Sequence, residues 1–151
     1  MHITIRTQER HTYQIEVTPS MTFLEVKQKM EQISGAGVAR QSLWLYGSEV
    51  RDDRDMEFYD IEDGATIILN YERVSLGYTF PIVAKTPTEE LSVEVEEALT
   101  VAKLKERIQA IAKIPVEKMA LFHFSREMED ALFLSAYFVT EDSKIEIKLL
   151  P

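Results

Sequence analysis

The 151-residue sequence contains no cysteine and only five glycines and five prolines. The lack of cysteine excludes a disulfide framework, a thiolate zinc site and a cysteine nucleophile, and it is typical of proteins from a reducing compartment. No apolar run approaches the roughly 18 residues that a membrane-spanning helix needs. The alternating, polar N-terminus is unlike a signal or transit peptide. We therefore expect a protein of the cytoplasm or the nucleus.

Positive charge is also scarce, because 17 Lys and Arg residues face 26 Asp and Glu residues, for a net charge of -9. A chain of this sign repels phosphate backbones and anionic lipid surfaces, so neither nucleic acid nor a membrane is expected as a partner. The three histidines lack the spacing of a metal or catalytic motif, and no phosphate-binding glycine loop or nucleophile elbow is present. We expect no catalytic residues, no cofactor and no metal site.

An internal repeat organises the chain. A shift of 78 positions aligns the second half with the first without a gap from residue 22 onward. The identical pairs include Thr22 with Thr100, Lys27 with Lys105, Leu43 with Leu121, Tyr59 with Tyr137 and Ile67 with Ile145. This predicts one domain over 1–71, a linker over 72–78 and a second domain over 79–151. The linker is short and neither Gly/Ser-rich nor Pro-rich, so it should limit the relative motion of the domains without abolishing it.

Each copy shows the same order of predicted elements. In the first copy, residues 3–5 and 13–17 alternate apolar and polar side chains, which predicts a β-hairpin. Thr22 followed by Glu25 resembles a capping box at the start of a helix, and Gly35 ends that helix. The predicted inward face of this helix carries Phe23, Val26, Met30 and Ile33. Strands over 43–46 and 66–71 and a helical turn over 56–59 complete the first copy.

The second copy repeats the pattern with strands over 80–84, 91–95, 121–124 and 145–149. Its helix begins at Thr100 and ends before Pro115. The predicted inward face of that helix carries Val101, Leu104, Ile108 and Ile111. The order β-β-α-β-β predicts an α+β fold in which each copy packs one helix on one mixed sheet.

The first copy closely resembles ubiquitin. The matching residues include Pro19, Ser20, Thr22, Val26, Lys27, Leu43, Gly47 and Tyr59. The second copy matches more weakly, with one residue fewer in its first hairpin, through Lys105, Pro115, Leu121, Asp130 and Tyr137. The resemblance implies two tandem ubiquitin-like β-grasp domains in a monomer. It also implies that Lys27 and Lys105 are structural lysines that lie largely within the fold, next to acidic residues.

The C-terminus departs from the modifiers of this family. Those modifiers end in Gly-Gly, whose carboxylate is joined to a lysine, and only glycine fits the narrow channel of the activating enzymes. This sequence ends in Leu149, Leu150 and Pro151. We expect a non-conjugated adaptor that binds proteins of the ubiquitin–proteasome system, such as proteasome receptors or segregase-type ATPases. The alternative is a divergent two-domain covalent modifier whose processed tail is lost or absent from this sequence.

Ubiquitin binds most partners through a small patch of Leu, Ile and Val side chains. The corresponding positions are Gln8, Trp44 and Asn70 with Ile68 beside them in the first copy, and Phe122 flanked by Glu146 and Lys148 in the second. These seven residues are the candidate partner-binding residues. Because both aromatic residues follow an inward leucine, they are expected to point outward and to anchor a partner.

Two alternatives stay open for Trp44 and Phe122. Both rings could lie in a contact between the two domains, or the strands could twist and pack them against Tyr46 or Phe124. Matching outward aromatics in tandem copies would also allow a bivalent interaction.

Two acidic runs are expected to be solvated. Residues 52–55 lack the length and the terminal glutamate of a calcium loop, so a solvated turn is expected there. Glu94, Glu96 and Glu97 are predicted to form a solvated strand end.

Overall fold

The computed structural model describes residues 1–73 and 77–151. The chain divides into two compact units, unit 1 over residues 1–72 and unit 2 over residues 73–151. Each unit contains one α-helix and one five-stranded sheet. The predicted α+β class with two mixed sheets is confirmed. Residues 74–76 of the predicted linker lie outside the described residues.

Unit 1 has five strands and one α-helix. They are β1 (His2–Arg6), β2 (Thr12–Glu16), α1 (Phe23–Ser34), β3 (Gln41–Leu45), β4 (Ser48–Glu49) and β5 (Thr66–Tyr71). The strand order is β2-β1-β5-β3-β4. The central pair, β1 and β5, is parallel and the other pairs are antiparallel. This pairing places the β1–β2 turn beside β5.

Unit 2 repeats this arrangement. Its elements are β6 (Phe80–Lys85), β7 (Glu90–Val95), α2 (Val101–Ala112), β8 (Met119–His123), β9 (Arg126–Glu127) and β10 (Lys144–Leu149). The strand order is β7-β6-β10-β8-β9, again with a parallel central pair. A short 3-10 helix at Leu134–Tyr137 follows β9, where unit 1 has non-helical turns over 56–60.

Both helices begin at the predicted threonine. The Thr22 hydroxyl accepts a hydrogen bond from the Glu25 amide at 3.2 Å, and the Thr100 hydroxyl accepts one from the Lys103 amide at the same distance. Each bond satisfies one of the amides that a first turn leaves unpaired. The helix ends differ, because Gly35 ends α1 with φ 82° whereas Lys113 ends α2 with φ 62°.

The predicted inward position of two isoleucines is wrong. Ile33 is 42% exposed and Ile111 is 50% exposed. In unit 1 the inner position of the last turn belongs to Ser34, which is buried and donates a hydrogen bond to the Met30 carbonyl at 2.6 Å. In unit 2 it belongs to Ala112, which packs against the core. The i+4 neighbour of the preceding core residue thus faces inward, and the i+3 isoleucine does not.

The predicted solvation of Glu97 is also wrong, since this residue is only 5% exposed. It lies in the turn between β7 and α2, and its carbonyl accepts a hydrogen bond from the Ser135 amide at 3.2 Å. Contact with the segment that carries the 3-10 helix therefore covers it. Glu94 is exposed and Glu96 pairs with Arg107 at 3.3 Å.

Lys27 and Lys105 occupy equivalent structural positions. Lys27 is buried and its ammonium lies 2.7 Å from the Asp52 carboxylate. Lys105 lies 2.7 Å from the Asp130 carboxylate, and only 14% of its side chain is exposed. Each ion pair links the helix of its unit to the loop that follows the short fourth strand. Asp52 and Asp53 lie in an exposed turn, as predicted, and Asp52 in addition pairs with the buried Lys27.

Candidate protein-interaction site

On the outer side of β3, unit 1 presents Ser42 and Trp44. Both are half-buried, whereas Leu43 between them is fully buried against the core. The Trp44 indole Nε1 donates a hydrogen bond to the Ser42 hydroxyl at 2.9 Å, so its polar edge is satisfied within the strand. Across the sheet, Trp44 pairs with Ile68 and Ser42 pairs with Asn70. The register between β3 and β5 therefore brings together three predicted residues, Trp44, Ile68 and Asn70.

Gln8 joins the same group from the β1–β2 turn. Its side-chain Nε2 donates a hydrogen bond to the Asn70 Oδ1 at 3.2 Å. The parallel pairing of β1 with β5, which matches Arg6 with Ile68, places this turn within reach. We call Gln8, Trp44, Ile68 and Asn70 the unit 1 face. A polar bridge at one end and an indole at the other give this face mixed character.

Tyr46 does not cover the unit 1 face. It is 96% exposed, so its ring is not packed against Trp44. This removes one of the alternatives for Trp44.

Unit 2 carries an open groove at the equivalent position. Phe122 is half-buried on β8 and lies opposite Glu146 on β10, while Lys148 is two residues further along β10, on the same side of the strand. These three predicted residues line a groove of about 530 Å³. Its remaining lining residues are Pro87, Ser125, Ile147 and Leu149. We call this the unit 2 groove.

Sequence reasoning missed several residues of the unit 2 groove. Pro87 comes from the β6–β7 turn, and the shorter hairpin of the second copy hid it from the 78-residue shift. Ser125 comes from the β8–β9 turn, at the position of Gly47 in the first copy. Leu149 is 52% exposed at the end of β10, and its position directly after Lys148 is the sequence signal that could have found it.

The unit 2 groove combines apolar surface with two opposite charges. Phe122, Pro87 and Leu149 supply the apolar part, and the exposed Glu146 and Lys148 lie at its side. An apolar side chain of a partner fits such a floor, and the flanking charges fix its orientation. Chemistry of this kind supports binding rather than bond breaking.

His123 lies at the inner side of the same region. It is buried, and its Nδ1 lies 2.7 Å from the Tyr137 carbonyl oxygen. Burial lowers the pKa of His123 below its ordinary value of 6.5, and the hydrogen bond with Tyr137 opposes only part of that change. His123 is therefore neutral near pH 7.

Residues 1–73 and 77–151 contain no group of three or more His, Cys, Asp or Glu side chains placed to hold a metal ion. Among the same residues, no helix combines the length and the hydropathy needed to cross a membrane.

The model of the Ubiquitin family matches this chain twice, over residues 3–73 and over residues 82–149. The two matches cover most of the chain, and one falls in each unit. The chain belongs to the ubiquitin family. The resemblance of both copies to ubiquitin is thereby confirmed, and the chain carries two ubiquitin-like β-grasp domains in tandem. Members of the ubiquitin family are typically non-enzymatic.

Proposed function

We propose that this ubiquitin-family chain is a tandem adaptor that binds proteins through the unit 1 face and the unit 2 groove without being conjugated to them. The unit 2 groove carries this proposal, because it offers an apolar floor around Phe122 and two flanking charges on one strand. Exposed aromatic residues in such settings are frequent anchors of protein interfaces.

The two binding surfaces have different chemistry, which favours different contacts. Trp44 in unit 1 keeps its polar edge bound to Ser42, so a partner meets its ring and the neighbouring Ile68. The Gln8–Asn70 bridge then offers amide groups at one end of the face. Such polar positions are unsuited to receptors that require the apolar triad of ubiquitin. We propose that receptors or segregase-type ATPases of the ubiquitin–proteasome system bind through the aromatic residues instead.

The experiment compares partner capture by the wild-type protein with capture by a Trp44→Asp, Phe122→Asp double variant. A matched control is an Ile33→Asp, Ile111→Asp double variant, which adds the same charge to exposed isoleucines on the two helices. Circular dichroism and thermal melting establish that all three proteins are folded. Quantitative mass spectrometry measures the captured proteins, and titration with each purified candidate then measures its affinity.

The adaptor proposal expects the aromatic double variant to lose a partner, by at least tenfold in affinity, that the isoleucine control retains. Equal binding by all three proteins would remove both surfaces from the site. Covalent adducts between the wild-type protein and cellular proteins would instead establish the alternative, a two-domain modifier.

A further inference from the structure

We propose that His123 is a pH switch for the β8–β9 turn of unit 2: its neutral side chain holds that turn against the 3-10 helix, and protonation releases it. The switch is confined to unit 2, because unit 1 has Leu45 at the equivalent position. The consequence for partner binding rests on the proposed function of the unit 2 groove, whereas the switch itself does not.

The hydrogen bonds of His123 define which atom carries its proton. A carbonyl oxygen only accepts, so Nδ1 must donate its hydrogen to the Tyr137 carbonyl at 2.7 Å. Nε2 is then the unprotonated nitrogen. It is buried and has no hydrogen-bond partner among the described residues. A second proton would therefore place a positive charge and an unsatisfied donor in the interior, which is unfavourable.

The charged residues near His123 in the chain and the sheet lie on β9, in the loop after it and on β10. On β9, the cation Arg126 pairs directly with His123 across the hairpin. Glu127 follows on the same strand and is exposed, and Glu129 uses its amide to donate to the Tyr137 hydroxyl at 2.7 Å. On β10, Glu146 pairs with Phe122 and lies on the outer side of the sheet. Burial, rather than any of these charges, lowers the pKa of His123.

His123 is continuous with the unit 2 groove. Its neighbour Phe122 and the turn residue Ser125 both line the groove. The Phe124 ring packs edge-on against the His123 ring, with centroids 4.9 Å apart. Phe124 and Ser125 have φ values of 50° and 66°, a region that side chains other than glycine adopt only at a cost. Because Ser125 lines the groove, displacement of this turn from the 3-10 helix changes the shape of the groove.

The direction of the pH effect follows from linkage. In the opened state, the β8–β9 turn has left the 3-10 helix and His123 is exposed, so its imidazole binds a proton near the ordinary pKa of 6.5. In the closed state, His123 is buried and binds a proton only at a lower pH. The closed state is therefore fully favoured above about pH 6.5 and loses stability as the pH falls below it. The equilibrium constant for opening rises about tenfold for each unit by which the pH falls below 6.5, until the pKa of His123 in the closed state is reached.

Amide hydrogen exchange of the full chain, measured by NMR between pH 5 and 8, tests this switch. The probe is the Met128 amide, which donates to the Leu121 carbonyl at 2.8 Å, and the reference is the Val50 amide, which donates to the Leu43 carbonyl at 2.9 Å. The ratio of their exchange rates cancels the general effect of pH. We expect this ratio to rise as the pH falls below 6.5, by up to about tenfold per pH unit as long as the pH stays above the pKa of the closed state.

The matched variant is His123→Leu, which places in unit 2 the residue that unit 1 carries at position 45. Its exchange ratio should not change with pH. Nitrogen chemical shifts of wild-type His123 provide a measurement that needs no variant, and they should show a proton on Nδ1 at pH 7.

Three results would overturn the switch: a constant ratio in the wild-type protein, the same pH dependence in His123→Leu, or a proton on Nε2 at pH 7. The exchange experiment contains no partner, so its failure leaves the proposed function unaffected. Conversely, failure of the Phe122 binding test leaves the switch unaffected.

Discussion

A lysine within a folded domain needs an oxygen partner, because its ammonium group has lost most of its water. In unit 1 only 7% of the Lys27 side chain is exposed, and Asp52 is the carboxylate that lies 2.7 Å from its ammonium. Unit 2 repeats the pair with Lys105 and Asp130. Arg51 and Asp53 form a second ion pair in the same loop, at 3.3 Å, but both side chains are about two-thirds exposed. The loop therefore contributes to two different ion pairs. The buried Lys27 depends on Asp52 as its counter-charge, whereas water can solvate both Arg51 and Asp53 when their ion pair is broken.

The substitution Asp52→Asn is expected to destabilise unit 1 by about 1–3 kcal/mol, because it leaves Lys27 buried without a counter-charge while Asp52 itself remains half-exposed. Urea unfolding followed through the resonances of unit 1 measures this change. The matched control is Asp53→Asn, which should cost less than about 0.5 kcal/mol as a surface pair. Equal effects of the two substitutions would show that Lys27 does not depend on Asp52.

At the scale of elements, local periodicity was sufficient to predict the helix starts and four of the five strands in each unit, but not the two-residue strands β4 and β9. Ile3 and Ile5 are fully buried on β1, and Thr22 caps α1 as the pattern indicates. Periodicity failed in the last helical turn, where Ile33 and Ser34 are both compatible with the apolar stripe. The Ser34 hydroxyl is buried and donates its hydrogen bond to the Met30 carbonyl, so the polar group of this small residue is satisfied in the interior. Ile33 therefore lies on the exposed side of the helix. A hydropathy pattern contains no information about such a bond.

The binding surfaces depend on pairing between distant elements, which no local pattern describes. Gln8 reaches Asn70 because β1 and β5 are parallel neighbours. In unit 2, where β6 and β10 are the parallel pair, Pro87 and Phe122 line the same groove. The resemblance to ubiquitin predicted seven candidate residues by their position in the sequence. It did not show the unit 2 groove, since Pro87 lies where the second copy has a shorter hairpin.

The helix C-termini differ in a way that predicts a stabilising substitution. Lys113 holds a left-handed conformation at the end of α2, where unit 1 has Gly35. Glycine adopts this conformation without a Cβ penalty. The substitution Lys113→Gly is therefore expected to stabilise unit 2 by about 0.5–1 kcal/mol, even though the hydrogen bond from Lys113 Nζ to the Ala110 carbonyl is lost.

Thermal unfolding followed through unit 2 resonances measures the effect of Lys113→Gly. The reciprocal control is Gly35→Lys, which should destabilise unit 1 by a similar amount. A destabilised Lys113→Gly protein would show that the lysine side chain contributes more to this helix end than its backbone strain costs.

For the whole molecule, the important property is that each unit contains its own core. The helix and sheet of unit 1 bury Phe23, Met30 and Leu43, and those of unit 2 bury Leu104 and Leu121. A domain of about 70 residues has a small core, so each unit is sensitive to the loss of a single large side chain. Leu43 and Leu121 are equivalent residues, and both are fully buried.

These equivalent leucines test whether the two units unfold independently. We expect Leu43→Ala to destabilise unit 1 by about 2–5 kcal/mol and to leave unit 2 unchanged, and Leu121→Ala to do the reverse, because each substitution opens a cavity in one core only. Denaturant titrations of the full chain, read separately from Trp44 fluorescence for unit 1 and from Tyr137 resonances for unit 2, measure both transitions. A shift of both transitions by either substitution would show that the cores are coupled.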